Sequence, residues 1–205
     1  YSCMNKKFLE YLLIFCGSFL FSFIFFYVLG SVYCDEVWVY GFSYNISKGM
    51  VIYRDFNVLQ MPLYFFIASV FIKIFGNYII VMHIFDSLLF ASMIIIIYKI
   101  IGKKVFIMLP LFIFFWPSGY NLLCLFFLIL LIYLIHKNKD SDLLVGFIVG
   151  LCFITKQNIG ILLLIPCLFY SKRKLKTLIC FIIPFAFLSI YLIYNDAFYQ
   201  FIDYC

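Results

Sequence analysis

Charge is what this chain has least of: 12% of its 205 residues are charged, against 67% hydrophobic. A soluble domain carries about 25% charged residues to cover its surface, and the mean hydropathy here is +1.15. Water is therefore excluded as the main solvent. Also missing is any CxxC pair, although there are eight cysteines. Cys16, Cys124, Cys152, Cys167 and Cys180 lie inside apolar runs, so they read as small buried hydrophobes rather than a disulfide or metal framework; only Cys34 and Cys205 stand where oxidation is plausible. No basic stripe runs along one face, so the formal charge of +6 does not point to nucleic acid. The cations sit in short clusters between apolar runs, which is the pattern of membrane topology signals.

Long uncharged runs are what the chain does have. Tyr11 to Gly30 contains no charged residue over twenty positions, enough at 1.5 Å per residue for the roughly 30 Å hydrocarbon core of a bilayer. It follows Lys6 and Lys7 as a signal peptide would, but it is longer than an ordinary signal core and no small-x-small cleavage site follows. It is expected to be a retained anchor, with Met4 the expected natural start. Further apolar runs cover Tyr78 to Ile101, Val105 to Trp116, Tyr120 to Ile135, Leu143 to Ile154, Ile159 to Tyr170 and Leu178 to Tyr194. Pro117-Ser118-Gly119 and Thr155-Lys156-Gln157-Asn158 are the turns of two helical hairpins. Pro62 to Phe75 is only fourteen residues long and stops at Gly76-Asn77, a length for an interfacial or re-entrant helix rather than a crossing.

The positive-inside rule selects among layouts. With Pro62 to Phe75 lying flat, the inner segments hold Lys6, Lys7, Lys99, Lys103, Lys104, Lys137, Lys139, Lys172, Arg173, Lys174 and Lys176, eleven of the fifteen cations. The outer segments hold Lys48, Arg54, Lys73 and Lys156, with five of the nine acids: Asp35, Glu36, Asp55, Asp196 and Asp203. The expected fold is an all-α, polytopic transmembrane bundle of about seven spans. Residues 1–205 form one membrane domain, with a cytoplasmic amino terminus and a large external first loop, 31–77, containing juxtamembrane helices.

The chemistry-bearing residues concentrate in that loop. Asp35 and Glu36 follow the first span closely; carboxylates at such an interface can deprotonate a hydroxyl or hold a divalent metal, or can simply favour the amino end of the next helix. Arg54 and Lys156 read as phosphate contacts or as interface anchors that snorkel to headgroups. His83 and Asp86 are three apart on one face of the second span, placed either to line a site or to hydrogen-bond each other. Trp38, Tyr40 and Tyr44 could stack on a sugar.

The order Asp35-Glu36-Val-Trp-Val-Tyr-Gly, Ile52-Tyr53-Arg54-Asp55-Phe56, Gln60-Met61-Pro62-Leu63-Tyr64 and Ile74-Phe75-Gly76 resembles the opening of the GT-C superfamily of polyprenyl-phosphate-sugar glycosyltransferases. That group includes protein mannosyltransferases and lipid A aminoarabinose transferases. There an acid after the first span opens an external loop, and a Pro-Pro-Leu-Tyr interfacial helix ends in Phe-Gly. The likeness covers residues 4 to 104, and Lys156-Gln157-Asn158 is similar to a later external Lys-Gln-Asn. Met61-Pro62 replaces the usual Pro-Pro, and His83 stands where an Arg is common.

The resemblance implies catalytic roles for Asp35, Glu36 and Asp55. Donor or acceptor contacts would come from Arg54, Tyr53, Gln60, His83, Lys156, Gln157 and Asn158. It implies a polyprenyl-phosphate sugar donor, a lipid, glycan or protein acceptor, membrane lipids as surroundings, and no nucleic acid. No metal is required by the pattern; Mg or Mn is the divalent ion that Asp35 could hold. Family members are usually longer, so a carboxy-terminal part is expected to be missing, and an inactive fragment is one alternative. Another is a transporter or flippase for lipid-linked sugar, which would place ionisable residues at mid-membrane in paired repeats.

Overall fold

A computed structural model describes residues 2–29, 34–107, 119–137 and 142–204, with the side chains of 2–5, 29, 34 and 35 outside the description. The expectations about Pro117, Ser118, Lys139 and the side chains of Cys34 and Cys205 fall outside the described residues. What is described is helical, without strands; a lone bridge joins Ile52 and Phe56.

The helices are α1 (Ser2–Leu29), α2 (Cys34–Ser47), α3 (Leu63–Phe75), α4 (Ile80–Ile101), α5 (Gly119–His136), α6 (Asp142–Phe153), α7 (Gln157–Tyr170), α8 (Lys174–Tyr194) and α9 (Phe198–Tyr204). Their limits follow local chemistry. Proline, whose fixed φ suits a helix start, precedes α3 as Pro62, and Gly76 ends it at φ 105°, its N–H returning to Ile72 O. Gly102 closes α4 with φ 64°.

Four segments are long and apolar enough to cross a membrane: Lys6–Val28, Ile80–Ile107, Gly119–His136 and Lys174–Tyr194. Apolar surface that would be costly in water is exposed along them, as at Leu13, Ile24, Phe187 and Ile190. The protein is thus a membrane-embedded helical bundle. At 12 and 14 residues, α6 and α7 reach about 18 and 21 Å, short of a hydrocarbon core. The described residues therefore support four crossings by length, fewer than the seven expected: two of the apolar runs are broken by the Lys156 turn before either is long enough, and most of the run expected from Val105 to Trp116 lies outside the described residues.

Contacts fix the directions. α1 and α4 are antiparallel: Tyr98 donates a hydrogen bond to Glu10 near one end, while the Phe26 ring meets His83 at 6.4 Å near the other. α5 starts beside Asp86 and ends where Tyr170 donates to Ile135 O (3.4 Å). Lys6, Lys7, Lys99, Lys103, Lys104, Lys137 and the run from Lys172 to Lys176 thereby collect at one end of the bundle. Glu36, the 51–61 loop, Lys156 and Asn195 collect at the other.

α3 does not run alongside α4. Tyr64 and Phe71, seven residues apart on α3, both meet Phe85, at 5.5 and 4.7 Å. An adjacent antiparallel pair would set them against sites about 10 Å apart, so α3 crosses α4 near its first turns. Leu63 N donates to Ile154 O (3.0 Å), tying the start of α3 to the Lys156 turn.

The core has two parts. The larger centres on Tyr64, Phe65, Ala68 and Ile72 of α3 and reaches Leu123, Val149 and Leu192; the smaller joins Phe26, Phe90, Ile94 and Leu122. The tightest helix contact is between α6 and α8. A Cβ on Gly146 would lie 2.2 Å from Thr177 O and one on Gly150 2.4 Å from Phe181 O. Small residues four apart let two backbones touch, as in membrane helix pairs generally.

Candidate functional site

α2 begins at Cys34, so Asp35 and Glu36 occupy its first turn. Asp35's side chain lies outside the described residues. Glu36 does not behave as a solvent-facing helix-start acid: it is 6% exposed and turned into the bundle. Its Oε1 lies 3.3 Å from His83 Nε2. That is ion-pair range without hydrogen-bond alignment, and both Glu36 oxygens and His83 Nδ1 are buried with no hydrogen-bond partner. Burial, and then the charge of Asp86, push the Glu36 carboxyl up to about 7. A group with that value takes and releases protons at neutral pH.

Asp86 is fully committed. Oδ1 accepts from Tyr64 OH (2.7 Å) and Oδ2 from Gly119 N (3.1 Å). His83 and Asp86, though on one face, have separate partners and do not pair. Gly119 sits at φ 56°, a left-handed conformation that a side chain disfavours; the Asp86 carboxylate thus holds the first turn of α5 against α3 and α4. Glu36, Val39, Tyr64, Met82, Asp86 and Gly119 surround a void of about 10 Å³, space for at most one water.

Lys156 leads into α7. Its Nζ donates to Asn121 Oδ1 (2.9 Å) and stands 5.4 Å from the centre of the Tyr120 ring. Tyr120 follows Gly119, so Lys156 is one residue removed from the Asp86 bond. Of its neighbours, Gln157 is half-buried and Asn158 exposed, the latter's Oδ1 accepting from Ile159 N (2.9 Å).

Arg54 and Asp55 form a separate group. Arg54 Nε lies 2.9 Å from Asp55 Oδ1, and Nη1 donates to Asn195 O at 3.3 Å. Arg54, and then Val51 N, hold the Asp55 carboxyl below its usual value. Tyr53 is 1% exposed, donates to Gln60 O (2.7 Å) and packs against Phe201 at 5.1 Å. Its φ of 70° is a strained state for a bulky residue, costing about 1–2 kcal/mol and kept only where surrounding contacts insist on it. Tyr53 and the Gln60 carbonyl pin the loop, and the pair Arg54–Asp55 clasps it to the end of α8. Tyr40 is bonded to Asn77 O (2.9 Å), whereas Trp38 is 68% exposed.

The structure thus gathers Glu36 with His83 around Asp86, brings Lys156 beside that group through Tyr120, and sets Arg54 with Asp55 at a second position on the same end. In sequence, Tyr64 figures only as the end of the Pro62-Leu63-Tyr64 segment that opens the short helix, with no site role, and Asn121 has no pattern to mark it. No set of three His, Cys, Asp or Glu side chains among the described residues is arranged to hold a metal, so no step is assigned to Mg or Mn.

Between the two groups runs an apolar groove of about 290 Å³, lined by Pro62, Leu63, Phe66, Ile154, Pro184, Phe187, Leu188 and Tyr191. Ile154 is two residues from Lys156, and the Tyr191 carbonyl accepts from Asn195 Nδ2 (2.8 Å), the residue whose own carbonyl Arg54 reaches. Compared with known proteins, the chain matches no family model, no curated protein and no solved structure.

Proposed function

We propose that this protein is an inverting membrane glycosyltransferase of the GT-C kind. It would move a sugar from a polyprenyl-phosphate carrier to a lipid, glycan or protein acceptor at the extracytoplasmic face. The observation that supports this reading best is the apolar groove at the end of the bundle that also carries Arg54 and Lys156: its lining includes Ile154, two residues before Lys156, and Tyr191, whose carbonyl is bonded to the Asn195 that Arg54 reaches. A lipid phosphate, an apolar chain ending in an anion, would lay its chain in the groove and turn its charge towards that end. The groove is at the lower limit of ordinary ligand pockets, roughly 300–1,000 Å³, so it suits part of a chain whose remainder stays in lipid.

In the proposed reaction an acceptor hydroxyl attacks the anomeric carbon while the bond from that carbon to phosphate oxygen breaks. The hydroxyl proton passes to a carboxylate, assigned to Asp35, and the carrier leaves as its phosphate. Phosphate departs without protonation, so the demand is one base plus cations for the developing charge, not the two opposed carboxylates of a hydrolase. Glu36, enclosed beside a one-water void and without hydrogen-bond partners, is given no step in the transfer. The reading puts the amino terminus in the cytoplasm, and the basic clusters sharing one end of the bundle support it.

A second reading, transport, draws on the buried group of Glu36, His83 and Asp86, since ionisable residues within membrane spans often mark pathways. Both Asp86 oxygens are engaged structurally, however, and the void beside them is about 10 Å³. One experiment separates the readings: transfer from a radiolabelled polyprenyl-phosphate sugar in membranes, wild type against Asp35→Asn. Loss of a general base costs about 10²- to 10⁴-fold, and a drop of that order is expected. Equal transfer by both proteins removes the catalytic assignment.

A further inference from the structure

At the basic end of the bundle, away from the proposed active site, Asp142, Leu143, Lys172, Arg173 and Lys176 line a pocket of about 230 Å³. A water occupies about 30 Å³ in the liquid, so the space admits a group several times larger. Among the described residues of the lining, three cations face one acid. The acid is already committed: Asp142 Oδ2 accepts from Arg173 N at 2.8 Å.

The pocket is held in shape by backbone rather than by long side chains. One turn above Asp142, Gly146 meets Thr177 O so closely that a Cβ would intrude at 2.2 Å. The hydroxyls of Ser171 and Thr177, both buried, are 2.6 Å apart. The segment carrying Lys172, Arg173 and Lys176 is therefore fixed against the start of α6.

We infer that this pocket binds the phosphate headgroup of an anionic phospholipid. Charge selects an anion, and the flanking apolar surface selects a lipid over a soluble phosphate. Leu143 is 55% exposed, Leu144 44% and Leu175 70%, and the pocket opens at the foot of α8, a helix long enough to cross a membrane. Acyl chains have leucines to lie against at the level where the headgroup meets the cations. Basic pockets at the cytoplasmic ends of membrane helices are suited to such headgroups. The inference does not depend on the transferase reading.

The test uses the full chain in nanodiscs of phosphatidylcholine with and without phosphatidylglycerol. Retained lipid is read by native mass spectrometry and thermal stability alongside. Phosphatidylglycerol is expected to be retained and to raise the melting temperature. Lys172→Gln with Lys176→Gln should weaken retention by about fivefold per cation removed. Lys172→Arg with Lys176→Arg should preserve it. Lys103→Gln with Lys104→Gln removes the same charge from a cluster outside the pocket and should leave retention unchanged. Equal losses from both Gln pairs would mean diffuse attraction to the membrane and overturn the site. Stabilisation of the detergent-solubilised protein by inorganic phosphate as strong as by phosphatidylglycerol would overturn the lipid assignment.

Discussion

At the scale of single residues, Glu36 illustrates how neighbours decide a side chain's role. In sequence it is one of two adjacent acids after a span, with a catalytic reading and a helix-start reading side by side. In the structure it faces His83 and Asp86 from α4 and Tyr64 from α3, buried and without hydrogen-bond partners. The stability consequence has a definite sign. Its folded value of about 7 lies above the ordinary 4.5, so between those limits the folded state holds a proton that the unfolded state has lost. Stability then falls as pH rises from about 4.5 to 7, by up to roughly 3 kcal/mol, and levels off above. Glu36→Gln should flatten that part of the curve and be the more stable protein at pH 8. Thermal melts of both across pH 4 to 8 check this, and parallel curves would count against it. The neighbours of Lys156 are equally specific: Asn121 and the Tyr120 ring hold its ammonium beside the buried group.

Among elements, apolar run and breaker were enough to locate helices. The limits expected for the second span, the short proline-led helix, the last span and the hairpin around Lys156 fall within a few residues of α4, α3, α8 and the α6–α7 pair. Crossing geometry was not legible, because it depends on which small residues meet. Gly146 and Gly150 read as ordinary members of an apolar run, yet they set the closest helix contact described. Gly146→Val should force α6 and α8 apart and destabilise the protein by about 1–3 kcal/mol, the usual cost of overpacking. The same change at Gly17, with open space around it, should have little packing effect; comparing urea or thermal unfolding of the two in one detergent measures the difference. The site was legible only in part for a similar reason. Acids and cations stand out in a sequence with so few of them, but Tyr64, one of 17 tyrosines, is marked only by the Pro-Leu-Tyr segment it ends, and nothing in that segment points to Asp86, 22 residues on.

For the whole molecule, the account turns on which groups share an end. Contacts between Leu63 and Ile154, Arg54 and Asn195, and Glu36 and His83 join the early loop to the Lys156 turn, the end of α8 and the start of α4 respectively. The basic clusters occupy the opposite end. The proposed chemistry needs the first of these ends to face outward, with α3 lying at the lipid boundary. Single cysteines at Asn57, Asn158 and Lys104, all exposed positions, report this in intact cells when the natural cysteines are replaced; Ser43, in the same early segment, is fully buried and cannot serve. A membrane-impermeant maleimide is expected to label Cys at 57 and at 158 from outside, and Cys at 104 only after permeabilisation. Labelling of 57 and 158 from opposite sides would contradict the account, because no common site for sugar transfer could then exist.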